Sequence, residues 1–239
     1  MVRAVVVLGS AFCILTSALA ADAADYPKLL GQTVQIAKEA LQGQPDKRSA
    51  DRARFALLVL AELAQQDLAG PDGAQRATVR DAAIALAARI KAKEYDAARK
   101  DLDALATLPA QPSAKKEKTK IIDSLVEIDD VMTLFREPKL GGLGIEAEFD
   151  KLGAAKGPLP ATALDDRLLL FAHLAAVTGA MAEAHIPDKK QKEWKSYALV
   201  MKKTGLELAD AVKAKDGKAA LAALGRANAN CAACHKVFR

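Results

Sequence analysis

Cys231, Cys234 and His235 stand close together near Arg239, in the run Cys-Ala-Ala-Cys-His-Lys-Val-Phe-Arg. Two thiols three residues apart, with an imidazole beside the second, form the C-x-x-C-H spacing at which haem is attached covalently. The thiols add across the vinyl groups and the imidazole reaches the iron from one side. The preceding stretch, 218–230, is rich in Ala and Leu and predicts a helix. Positions i, i+3 and i+4 share a helical face, so the three groups project together, with Leu224, Ala227 and Phe238 near the same stripe. The same residues admit other chemistry. A thioredoxin-type redox disulfide belongs in a βαβ setting, and no strand pattern surrounds it. A zinc site requires four ligands, and only His173 and His185 remain to complete one. A structural disulfide across the two thiols would be strained. Position and context favour one covalent haem c.

The elements around this motif are helical. Hydrophobic residues make up 51% of the 239 positions but aromatic ones only 4%, a balance that suits close-packed helices better than a β-sandwich. The net charge of +5 is spread over interspersed signs, so nothing suggests a nucleic-acid partner. The chain opens with Met1-Val2-Arg3, an apolar run and Ala18-Leu19-Ala20, the pattern of a signal peptide cleaved near Ala20. Cleavage removes Cys13, leaves no membrane span and places the mature chain in the periplasm. Residues 21–112 then predict a haem-free bundle of helices over 26–41, 46–68, 74–92 and 94–108. This half has no Cys, His or Trp. A boundary falls in Pro109-Ala110-Gln111-Pro112-Ser113, followed by a lysine-rich stretch.

Residues 113–239 repeat the plan, with helices over 120–136, 163–185, 189–215 and 218–238 and a long loop over 138–160. Gly141-Gly142-Leu143-Gly144 in that loop lacks the Lys-Ser/Thr ending of a phosphate loop. Thr162 and Asp165 have the spacing of a capping box. Ile90 to Ala98 matches Val212 to Ala220 in register, and Phe55-Ala56-Leu57-Leu58 resembles Phe171-Ala172-His173-Leu174. The first half therefore reads as a degenerate repeat, with Pro109 to Ser113 opposite Cys231 to His235.

C-x-x-C-H-x-x-Phe-Arg on a last helix resembles class II cytochromes c, the cytochrome c′ family, over the C-terminal half only. The resemblance implies a four-helix bundle with haem on its last helix; with the helices read in the first half, the expected fold is all-α, two tandem antiparallel four-helix bundles, the second cytochrome c′-like. It also implies that a residue of that bundle's first helix faces the distal side of the iron. Low-spin relatives place Met there, and open-site relatives an apolar side chain. Leu125, Ile128 and Met132 share one face, so Met132 as an iron ligand or Leu125 beside a vacant position are the candidates; His173 is a weaker one. The family's Arg-Gln pair is replaced by Asp123-Ser124. By the same resemblance Phe238 packs on the macrocycle and Arg239 pairs with a propionate.

Three functions follow as expectations. The first is a periplasmic cytochrome carrying single electrons to a redox partner protein. The second is a five-coordinate haem protein binding nitric oxide or carbon monoxide. The third is a helical interaction module with structural haem. None is an enzyme, since no nucleophile and base are paired in the sequence. Family members dimerise through their first two helices, so a homodimer is a further expectation.

Overall fold

The computed structural model of the chain describes residues 25–111, 114, 116–185, 187 and 189–238. The expected signal segment with Cys13 lies outside these residues, as do Arg239 and, at the expected boundary, Pro112 and Ser113. The described residues are helical, with no strand beyond an isolated bridge between Ile122 and Val126.

The first half holds α1 (Tyr26–Ala40), α2 (Lys47–Ala64), α3 (Gly73–Lys91) and α4 (Tyr95–Leu105), close to the spans expected from their stripes. Pro27 lies in the first turn of α1, where a missing N–H breaks no helical bond. The Asp46 carboxylate caps α2 by accepting the Ser49 N–H at 2.8 Å. α1 packs on α2 and α4, and α3 packs on the same two helices.

The second half holds α5 (Ile128–Met132), α6 (Ile145–Gly153), α7 (Asp166–Ala184), α8 (Gln191–Lys213) and α9 (Gly217–Phe238). The long helix expected over 120–136 is a correction. Only α5 is α-helical there, and it runs into a 3-10 turn at Thr133–Phe135. Asp123 adopts φ +63° and its N–H bonds to the Val126 carbonyl at 3.0 Å. Asp and Ser favour such local turns over helix interiors, and Asp123-Ser124 ends any helix before it begins. The loop expected over 138–160 contains α6 instead. Gly144 opens α6 at φ +81°, with Glu146 and Glu148 in the first turn, where the helix dipole favours acids. Ile145 and Phe149 are its buried face. The capping box is also a correction, because Asp165 itself caps α7 by accepting the Leu168 N–H at 2.8 Å.

α7 packs on α8, α8 on α9, α9 on α6, and α5 on α7. α2 packs on α7, α5 and the Thr133–Phe135 turn, and buried apolar side chains of both halves form one continuous core. Among the described residues α7 alone is long and apolar enough to cross a membrane, and 78% of its most apolar window is buried inside the fold. α7 and α8 approach closely. A Cβ on Gly205 would lie 2.6 Å from the Ala176 nitrogen, and one on Gly179 would lie 2.4 Å from the Lys202 nitrogen.

The two matching segments make the same turn. Lys93 and Lys215 stand at φ +64° and +54°. Their N–H groups bond to Ile90 and Val212 at 3.0 and 3.1 Å, and those of Glu94 and Asp216 bond to Arg89 and Ala211 at 3.0 and 2.9 Å. Ala98 and Ala220 are then both fully buried, as are Leu102 and Leu224. α4 stops at Leu105, the counterpart of Ala227, one turn before the position matching Cys231.

Two predictions follow from this packing. Gly→Ala within a helix normally stabilises by up to about 1 kcal/mol, but Gly205→Ala should destabilise by about 1–3 kcal/mol because α8 must move off α7; urea unfolding reads the sign. Burial raises the Tyr26 phenol from 10.0 to about 12, against the opposing pull of Arg76, whose guanidinium lies 4.0 Å from the ring centroid. The neutral phenol is the form the fold prefers. Its contribution, roughly 3 kcal/mol, is therefore present below pH 10 and lost as pH rises toward 12. An ultraviolet titration of the three tyrosines should show one late step, absent in Tyr26→Phe; complete ionisation of all three by pH 11 would contradict the burial.

Candidate functional site

α9 presents Cys231, Cys234, His235 and Phe238, all half-buried, and no disulfide joins the two cysteines. Side-chain amides help to seat the helix. Asn228 Nδ2 donates to the Phe149 carbonyl of α6 at 3.1 Å, and Asn230 Nδ2 donates to the Tyr197 carbonyl of α8 at 3.0 Å. The end of α9 is closed by rings. The Trp194 and Phe238 centroids lie 5.1 Å apart at 85°, and Tyr197 and Phe238 lie 6.2 Å apart at 86°. Such edge-to-face pairs add to the apolar area that the rings bury. Trp194 Nε1 donates to the Ala182 carbonyl at 2.7 Å, which ties α8 to the end of α7.

Two clefts flank the motif. One, of about 240 Å³, is lined by Cys231 and His235 together with Phe135, Phe149, Glu146 and Asp150. The other, of about 270 Å³, is lined by all three motif side chains together with Ile128, Trp194, Tyr197 and Phe238. Met132, Met201, Cys231 and His235 line both. The clefts therefore meet along a seam shared by two thioethers, one motif thiol and the imidazole.

The structure brings Cys231, Cys234, His235, Phe238 and Met132 together. It does not bring Leu125 to them. Leu125 lines neither cleft: it sits within the Asp123–Val126 turn, ahead of α5, and packs half-buried against the core. His173 is buried among Leu29, Val59 and Leu170 with Nε2 3.8 Å from the Asp25 carboxylate, away from both clefts. His185 Nδ1 lies 2.7 Å from Asp123, and its ring meets Trp194 edge-on. Among the described residues, no group of three or more His, Cys, Asp or Glu side chains is placed to share a metal ion.

Sequence reasoning missed Met201, Glu146, Asp150, Phe149 and Arg136 as cleft residues. Met201 lies four residues after Tyr197 and seven after Trp194, on a stripe read only as core. Glu146, Phe149 and Asp150 belong to the helix that was read as loop.

The residues present fit a haem. The thiols stand one helical turn apart, the imidazole adjoins the second, soft thioethers lie along the same seam, and Phe135, Phe149, Ile128 and Phe238 supply apolar walls. Ligand pockets run from about 300 to 1,000 Å³ and are mostly apolar with a few placed polar groups, a range that the two clefts reach together. Burial pushes the Cys231 thiol up to about 11, and Glu146, Cys234 and Asp150 add to the rise. A thiol so raised carries almost no thiolate at neutral pH and is a poor nucleophile there.

This gives a direct test on the haem-free chain. In a Cys234→Ala background, iodoacetamide should alkylate Cys231 slowly at pH 8 and faster as the pH approaches 11. Adding Glu146→Gln and Asp150→Asn should raise the rate at pH 8. An unchanged rate would remove the carboxylates from the cause.

Comparison of the chain with known protein families, with curated proteins and with solved structures gives no match.

Proposed function

We propose that the chain is an exported c-type cytochrome that transfers single electrons, with one haem tethered at Cys231 and Cys234 and ligated by His235. The observation that carries this reading is the pair of connected clefts beside the C-x-x-C-H turn, with two methionines on their common seam. Its fold is read as two four-helix units in tandem, the second resembling class II cytochromes c. There α5 and α6 together take the place of that bundle's first helix. The matching turns at Lys93 and Lys215 support the first unit as a copy in which α4 ends before a haem-bearing turn.

A bound haem would supply the one-electron couple. The side chains of this chain do the rest. The two thiols hold the ring to α9, and His235 offers its imidazole to the iron. Phe238, Trp194 and Tyr197 exclude water at one end of the site, and Phe135 and Phe149 do so at the other. Arg136, which lines the second cleft, offers a guanidinium to a propionate, the role expected above of Arg239. The carboxylates of Glu146 and Asp150 place negative charge beside Cys231, which favours the oxidised iron and lowers the potential. A thioether ligand from Met132 or Met201 works the other way and raises it. A redox partner protein in the periplasm would take or give the electron.

One observation favours a second reading, a haem protein that binds carbon monoxide or nitric oxide. Met132 ends a helix of only five residues, and a thioether on so short a support is readily displaced.

The test is to express the protein with c-type maturation machinery. Covalent haem should survive denaturation, and Cys231→Ala with Cys234→Ala should abolish it. A low-spin ferric spectrum with a red thioether-to-iron band, indifferent to carbon monoxide when ferrous, would support electron transfer. Met132→Ala and Met201→Ala then show which sulfur is bound, since only the ligand's loss removes the band. A high-spin spectrum with rapid carbon monoxide binding would favour the gas-binding reading. Absence of covalent haem in the wild-type chain would end both.

A further inference from the structure

The cleft wall that carries Met132 and Phe135 is poorly equipped to hold its own shape. Between Leu125 and Gly144 the backbone forms one five-residue α-helix and two 3-10 turns, and it passes through left-handed conformations at Gly141 (φ +91°) and Gly144 (φ +81°). Its carbonyls are taken up from outside. Arg54 Nη2 donates to the Leu125 carbonyl at 2.8 Å. Arg52 donates through Nη2 to Pro138 at 2.8 Å and through Nε to Gly141 at 3.2 Å. Arg48 Nη1 donates to Lys139 at 3.1 Å. All three arginines stand on α2, in the half of the chain that has no motif of its own. They hold both ends of the wall, and α2 also packs on α5 and on the Thr133–Phe135 turn between them.

We infer that Arg48, Arg52 and Arg54 are positioning residues for the candidate haem site: through them the first half of the chain sets the place of the Met132 wall, and thereby what the far side of the iron meets. The inference rests on the haem reading above. Guanidinium groups suit the task because each offers several donors in a rigid fork, and charge-assisted bonds to carbonyls are stronger than neutral ones. The first half then acts as a brace that tunes ligation, a role separate from carrying an electron. Groups hydrogen-bonded to a metal's ligands typically change metal affinity or activity 10- to 100-fold when removed, and the arginines act one step further out, through the backbone that carries Met132.

The experiment uses the full-length, haem-loaded protein. Arg48→Ala/Arg52→Ala is compared with Arg99→Ala, which removes guanidinium bonds of the same kind, to the Leu41 and Gly43 carbonyls at 2.7 and 2.6 Å, away from the clefts. Read-outs are the ferric spectrum, the midpoint potential and the rate of carbon monoxide binding to the ferrous form. The double variant should change the carbon monoxide rate by about tenfold and weaken any thioether-to-iron band, Arg52→Lys should recover part of the change, and Arg99→Ala should leave both at wild-type values. If Arg48→Ala/Arg52→Ala lowers stability as Arg99→Ala does but leaves spectrum, potential and carbon monoxide rate unchanged, the arginines only hold the fold together and the inference fails. If wild-type protein loads no haem, the functional reading fails first, before any variant is compared.

Discussion

A helix of five residues cannot sustain itself. Its first turn fixes several dihedrals for a single hydrogen bond, and stability comes only with further turns or with outside packing. α5 is such a helix, and it forms part of the wall across from the strongest chemistry in the chain. Val131 and Leu134, both almost fully buried, bind the segment to the core, and the arginines of α2 hold the backbone where no helical ladder does. The wall of the candidate site therefore rests on contacts between elements about 80 residues apart in sequence, and the first half touches the site's backbone although it holds none of the site's reactive groups.

The opposite wall is built on other terms. α8 and α9 are long, and the glycines at 179 and 205 let α7 and α8 approach to backbone contact, so Met201, Thr204 and Gly205 are set chiefly by close packing, with Trp194 and Lys202 adding side-chain bonds from α8 to α7. Asn228 and Asn230 then fix α9 to its neighbours through backbone carbonyls. One side of the cleft is rigid by construction and the other is braced from a distance. Such an asymmetry suits a site in which one ligand is permanent and the other open to tuning.

The reactive groups were legible at once, because C-x-x-C-H fixes both residue types and spacing. The long helices of the first half and α7 to α9 were legible too, since apolar stripes of four or more turns leave little ambiguity. The failures share a cause. Leu125, Ile128 and Met132 fit a helical stripe, but the Asp123 N–H bonds to the Val126 carbonyl and turns the chain, which places Leu125 outside the site. The glycines at 141, 142 and 144 suggested loop and hid the Ile145/Phe149 face that makes α6. The arginine contacts left no trace in the sequence: their partners are carbonyl groups, which every residue has, so no complementary side chain announces them. Met201 was visible only as one more apolar residue on a buried stripe.

The chain has a single tryptophan, and the fold sets it against Phe238 at the end of the motif helix. Its indole is hydrogen-bonded to a carbonyl of α7, so its environment joins three helices. Light absorbed there is reported from one place, and that place borders the cleft. A porphyrin in the cleft would drain the excited state by energy transfer, an empty but folded chain would emit from a half-buried indole, and an unfolded one would emit from water. The residue that closes the pocket thus also serves as its lamp, and three states of the protein can be told apart by colour and brightness without any added label.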